Sequence, residues 1–126
     1  MKRSLIGLGL LLVLLAVGIA ATWAMVKIHA PMETRLQQAA VFALEEDWVQ
    51  ADAASREVMA AWEKWANFRT CLADHTPVEE IDAGLEELKI YAAARENAAF
   101  AAACAELGRK IAAVGEAHSL VWWNIL

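Results

Sequence analysis

The sequence is short of the residues that build β cores and cross-linked scaffolds. Its 126 residues include two prolines, two cysteines, one tyrosine and three phenylalanines, and aromatics make up 8% of the chain. Two cysteines are too few for a disulfide framework. No stretch alternates apolar and polar residues as a half-buried strand would, and no Asn-Gly or Asp-Gly pair marks a hairpin. Basic residues are also scarce, 11 against 16 acidic ones, for a formal charge of -5. With no Lys/Arg cluster to neutralise phosphates, a nucleic-acid partner is not expected. Gly-x-Ser-x-Gly, a phosphate-binding glycine loop and His-Glu-x-x-His are all missing, so an enzyme would have to assemble its site from scattered polar residues. The chain is read as non-enzymatic and without a cofactor. It is too short for two ordinary domains plus an anchor.

What is abundant is apolar and alanine-rich: 60% hydrophobic residues, against about 45–50% in an average soluble domain. From Leu5 to Val26 no residue is charged. A helix of that length measures about 33 Å, enough to cross a hydrocarbon core of about 30 Å. Lys2 and Arg3 flank its first end, which the positive-inside tendency keeps in the cytoplasm, and Trp23 suits the outer interface. The reading is a cytoplasmic tip over residues 1–4, a span over 5–26 contacting the lipid bilayer, and an extracytoplasmic domain over 27–126. A cleaved signal peptide, with Thr22 and Ala24 before a cut at Met25, is the competing reading, although the run is longer than a signal's apolar core. Ala16 and Ala20, four residues apart, have a spacing that supports helix pairing in lipid.

The outer domain has helical periodicity throughout. Pro31 is expected to open its first helix, or to kink the membrane helix into it, with Met32, Leu36, Ala39 and Ala43 as the apolar stripe. After a break at Glu45, Glu46 and Asp47, with Asp47 as N-cap and Gln50 three residues on, a second helix is expected to run to Leu72. Its stripe is Trp48, Ala51, Ser55, Val58, Trp62, Trp65 and Leu72. Thr76, Pro77 and Glu79 form the clearest helix start in the chain, followed by the stripe Val78, Ile81, Leu85, Leu88 and Ala92. Asn97 is expected to cap a last helix with Phe100, Cys104, Leu107, Ile111, Val114, His118 and Val121 in register. The fold expected is all-α: a transmembrane helix followed by an up-and-down bundle of about four antiparallel helices. Gly84, Gly108 and Gly115 are expected where a neighbour's backbone or a tryptophan comes close. This topology returns the C-terminal Val121-Trp122-Trp123-Asn124-Ile125-Leu126 to the membrane-facing end. There Trp122, Trp123 and Asn124 are candidates for contact with a partner or the membrane surface, or else close the core; Trp48, Trp62 and Trp65 are the packing tryptophans.

Asp47-Trp48 with Ala51, the Trp62 and Trp65 region, Asp74-His75 before the third helix, and the terminal Asn124-Ile125-Leu126 resemble the bacterial family called domain of unknown function 4363. The resemblance covers Glu33 to Leu126. It implies a small, membrane-anchored helical protein, of a kind found mostly in Gram-positive anaerobes, with no assigned catalytic activity. Ala98 to Ala105 is richer in alanine than the resemblance implies.

Cys71, Asp74, His75 and His118 are the residues best suited to chemistry. Cys71 and His75, four apart, have a metal-compatible spacing that His118 can approach in an antiparallel bundle. Structural capping explains the same residues, because histidine is favoured at the negative end of a helix and Asp74 can bond turn amides. Two functions follow. One is a membrane-anchored interaction or accessory module whose partner is another membrane protein. The other is an extracytoplasmic sensor of a small ligand or metal, acting through a partner because only Met1 to Ser4 precede the span. A Cys71–Cys104 bridge is excluded by register, since the axial offset is on the order of 10 Å and bridged Cα atoms lie within about 7 Å. Thiol titration of the unfolded, non-reduced protein is therefore expected to find two free sulfhydryls per chain; finding none would contradict this register.

Overall fold

The computed structural model describes residues 1–66 and 76–120, the last four of these by backbone alone. Among the described residues there are four helices and no strand: α1 (Lys2–Leu44), α2 (Trp48–Lys64), α3 (Thr76–Ala94) and α4 (Asn97–Leu120). The protein is an all-α, up-and-down bundle whose first helix is long and apolar. α1 packs most extensively against α4 and next against α2, α4 also packs on α3, and the α2–α3 seam is thin.

α1 carries both the apolar run and the first bundle helix in one element of 43 residues, about 64 Å long. The helix does not restart at Pro31, which lies in its interior. A proline there removes one backbone bond and costs about 3 kcal/mol, confined to a single turn. The residues on either side, Met25 through Ala30 and Met32 onward, still bury a common face. That face, Met25, Met32, Leu36, Ala39 and Ala43, steps by three, four and seven and forms the α1 side of the core. From α4 come Phe100, Cys104, Leu107, Ile111 and Val114, from α2 Ala51, Ala54, Val58 and Trp62, and from α3 Ile81, Leu85 and Leu88.

The glycines mark close approaches, to side chains other than tryptophan and, at Gly108, also to a neighbour's backbone. A Cβ on Gly84 would stand 2.5 Å from Leu107 Cδ2, and one on Gly115 3.3 Å from His29 Cβ. Gly108 faces Glu33, whose Cγ would be 3.5 Å away and whose carbonyl oxygen 4.0 Å. Small residues on α4 thus let α1 come near over at least two turns.

At the turn after α1, the Glu46 N–H donates to Ala43 O and the Asp47 N–H to Phe42 O, and Asp47 Oδ1 accepts from the Gln50 N–H at 3.2 Å as expected of the N-cap. α2 ends at Lys64, short of the expected Leu72, because Trp65 closes it with an N–H to Trp62 O. Arg69 and Leu72 lie outside the described residues. The last cap also differs by one residue. The first α4 bond runs from the Phe100 N–H to Glu96 O, so Glu96 occupies the cap and Asn97 is already helical. The cause is the tight end of α3, where the Arg95 and Glu96 N–H groups bond back to Ala92 O and Tyr91 O and the helix restarts at once.

Both distal turns place a non-glycine residue in the left-handed region, Glu46 at φ 61° and Arg95 at φ 57°. That conformation costs an L-residue about 1–2 kcal/mol, partly offset on replacement by the extra chain entropy of glycine. Glu46→Gly is expected to stabilise the fold by about 0.5–1 kcal/mol and raise the melting temperature by a few degrees in detergent-solubilised protein. A lower melting temperature would count against strain at this turn.

Candidate functional site

Three cross-helix contacts fix how the helices are staggered. Arg35 Nε donates to Glu57 Oε2 at 2.7 Å, with a parallel bond from Nη2 to Oε1, tying α1 to α2. Gly115 faces His29 across the α1–α4 seam, and Gly84 meets Leu107 across the α3–α4 seam, where Lys110 Nζ lies 3.8 Å from Glu80. With neighbouring helices antiparallel, these contacts put the end of α2, the start of α3 and the end of α4 at about the level of residues 23–30 of α1, by the apolar run. Ala66, Thr76 and Leu120 are thus gathered at one end of the bundle. The other end holds the two tight turns.

The end beside the apolar run is where the sequence concentrates its candidate chemistry. Cys71 and His75 fall within 67–75, and Trp122, Trp123 and Asn124 within 121–126, all outside the described residues. His118 belongs to the last turns of α4, described there by backbone only. The chain therefore brings the attachment points of both segments to one end. On the described side of that end, Lys27 Nζ stands 4.4 Å from the centre of the Trp23 ring, a cation–π contact suited to the edge of an apolar phase. The His29 ring Nδ1 is 2.7 Å from Met25 O. Among the described residues no group of three or more His, Cys, Asp or Glu side chains is placed to hold a metal.

The packing tryptophans occupy three different settings. Trp62 is buried, 2% exposed, and its indole N–H donates to Asp82 Oδ1 at 2.6 Å, the polar tie across the thin α2–α3 seam. Trp48 is half-buried at the distal end, edge-on to Phe100 with ring centres 5.2 Å apart, and the Arg95 guanidinium lies over it at 5.1 Å. Trp65 is half-buried where α2 ends. Beside Trp62 the seam opens into a groove of about 500 Å³ lined by Met59, Asp82, Glu86 and Lys89. Its charged lining is of both signs, and Lys89 pairs with Glu86 within it.

Of the ionisable groups, the Arg35 guanidinium holds the Glu57 carboxyl below its ordinary range through the paired hydrogen bonds. Stability from this pair is present above the ordinary carboxylate pKa and lost as pH falls through the lowered value. Burial pushes the free Cys104 thiol up to about 12, which leaves it a packing residue rather than a nucleophile. The ties Arg35–Glu57 and Trp62–Asp82 join residues 22 and 20 positions apart, and no local pattern announces them. Asp82 is readable in sequence only as a charge near a helix start.

Trp62→Ala is expected to destabilise the fold by about 3–5 kcal/mol, because it empties a large site in the core and removes the bond to Asp82. Trp62→Phe keeps the ring volume and loses less, so the two variants should separate clearly in denaturant unfolding followed by circular dichroism. Equal, small losses in both would contradict Trp62 as the closure of the α2–α3 seam.

No curated protein and no solved structure matches the chain. A family model does, over residues 20–125, starting inside the apolar run rather than at Glu33. The matched region therefore takes in the last part of that run together with the whole bundle, the stretch that α1 joins into one helix. By that match the chain belongs to the family described as Domain of unknown function (DUF4363).

Proposed function

We propose that this protein is a non-enzymatic, single-pass module of a bacterial cell membrane, with its N-terminus cytoplasmic and its bundle presented outside as the binding surface for another membrane protein. The observation that carries the reading is the continuity of α1. Only 6% of its most apolar stretch is buried by the rest of the chain, and without a break it becomes the helix around which the bundle is packed. Exposed Leu5 through Val17 would face water at a cost of about 25 cal/mol per Å² unless lipid covers them. Lys2 and Arg3 at one end and the Trp23–Lys27 contact at the other bracket a span of bilayer thickness.

From Lys27 onward the sequence holds nine basic and sixteen acidic residues, a formal -7. An acidic bundle is repelled by anionic lipid headgroups, which favours a protein over the bilayer surface as the occupant of its membrane-facing end. Trp122, Trp123 and Asn124 are the contact residues in this reading, since α4 delivers the chain to that end.

Crosslinking in native membranes, followed by identification of the captured proteins, tests anchoring and partnership together. The wild type is expected to resist alkaline extraction and to capture a membrane protein. Replacing Trp122 and Trp123 by Ala should reduce capture several-fold while leaving helix content intact. Release by alkaline extraction, or unchanged capture by the double variant, would overturn the respective part of the proposal.

A further inference from the structure

Toward the distal turns the α2–α3 seam opens a second time, into a depression of about 420 Å³. Asp52 and Arg56 line it from α2, and Lys89 and Arg95 from α3 and the turn that follows. Its charge is opposite to that of the bundle. From Lys27 onward the chain holds nine basic and sixteen acidic residues, yet three of the nine meet here around one carboxylate, Asp52. The three cations are not equally engaged. Arg56 Nη2 lies 2.9 Å from Asp52 Oδ2, and Lys89 Nζ lies 2.5 Å from Glu86 Oε1. Both are exposed pairs one turn apart on a helix, the kind that contributes little and gives way to a better-placed anion. Arg95 makes no ion pair among the described residues; its guanidinium lies over the Trp48 ring, 5.1 Å from the centre. That contact supplies no acceptor oxygen, so the forked donors of Arg95 are left for an oxyanion. The backbone beneath is fixed as well, left-handed at φ 57° with its N–H bonded to Ala92 O. A cation held at both ends has less freedom to lose when an anion arrives.

We propose that this depression binds a small oxyanion of two or more negative charges, phosphate-like or polycarboxylate, with Arg95 as the anchoring donor and Arg56 and Lys89 completing its shell from the two helices. The acidic surroundings set the size of the ligand. A long polyanion lying across the bundle would meet its carboxylates, whereas a compact one confined to the depression meets mainly the basic lining. Guanidinium groups suit this class because their planar forks match the oxygens of carboxylates and phosphates alike. The bound anion would also join α2 to α3 at the end of their thin seam away from the Trp62–Asp82 bond. The site is independent of Cys71, His75 and His118 and of the anchoring reading, since every residue in it belongs to the distal part of α2 and α3 or to the turn after α3.

Isothermal titration of the full-length protein in detergent, at fixed ionic strength, tests this with inorganic phosphate in one arm and citrate in the other. Saturable binding of one anion per chain is expected in at least one arm, and the tighter arm tells whether phosphate or carboxylate oxygens fit better. Arg95→Gln and Arg56→Gln are each expected to weaken it several-fold, with helix content by circular dichroism at the parent value. Arg109→Gln removes the same charge from an exposed position on α4 and should leave the affinity as it was. Should Arg95→Gln lose helix content, Arg56→Gln against Arg109→Gln decides by the same criterion. No saturable binding in either arm, an affinity indifferent to the Arg95 and Arg56 variants, or an equal loss in Arg109→Gln would overturn the proposal.

Discussion

Among the described residues the most extensive packing joins α1 to α4, and α1 is also the helix long and apolar enough to cross a membrane. This double duty constrains the rest. α1 must present apolar side chains all round over its first half and a narrow stripe over its second, without interrupting its backbone bonds. Gly108 and Gly115 let α4 approach Glu33 and His29 closely, so the bundle is joined to the apolar run by packing rather than by a flexible linker. Pro31 lies in this stretch, where Lys27 O loses a helical donor.

Around this axis the remaining helices are held unequally. α2 is fastened to α1 by the two parallel Arg35–Glu57 bonds, and α3 to α4 by Leu107 over Gly84. Between α2 and α3 the burial of Trp62 and its bond to Asp82 do much of the joining, with an open groove beside them. The thin seam lies away from α1, so a movement of α2 relative to α3 would leave the α1–α4 pair undisturbed. Whatever meets the end beside the apolar run acts on the ends of α2, α3 and α4 together.

The stripes were legible because burial follows period. Met32, Leu36, Ala39 and Ala43 on α1, Ile81, Leu85 and Leu88 on α3, and Phe100, Cys104, Leu107 and Ile111 on α4 are all buried as their spacing requires. Asp47 caps α2 because its carboxylate reaches the Gln50 amide whatever the tertiary context. Pro31 left two readings open, a helix start or a proline within one helix, and the chain is helical straight through it, since its cost is confined to one turn. Asn97 misled, because Glu96, released by the tight end of α3, takes the cap first. Of the candidate site, sequence could point to Cys71, His75, His118, Trp122, Trp123 and Asn124 by residue type alone. The ties that position that end, Arg35–Glu57 and Trp62–Asp82, are long-range and carry no spacing rule.

The central claim is that the apolar run and the core helix of the bundle are one rigid rod. A spin-label distance between Leu11→Cys and Gln37→Cys measures it directly, in full-length protein with Cys71 and Cys104 replaced by Ala, reconstituted in bilayers and diluted with unlabelled chain. An unbroken helix predicts one narrow distribution near about 39 Å. A broad distribution, or one markedly shorter, would mean that the helix breaks between the apolar run and the bundle and would contradict the account.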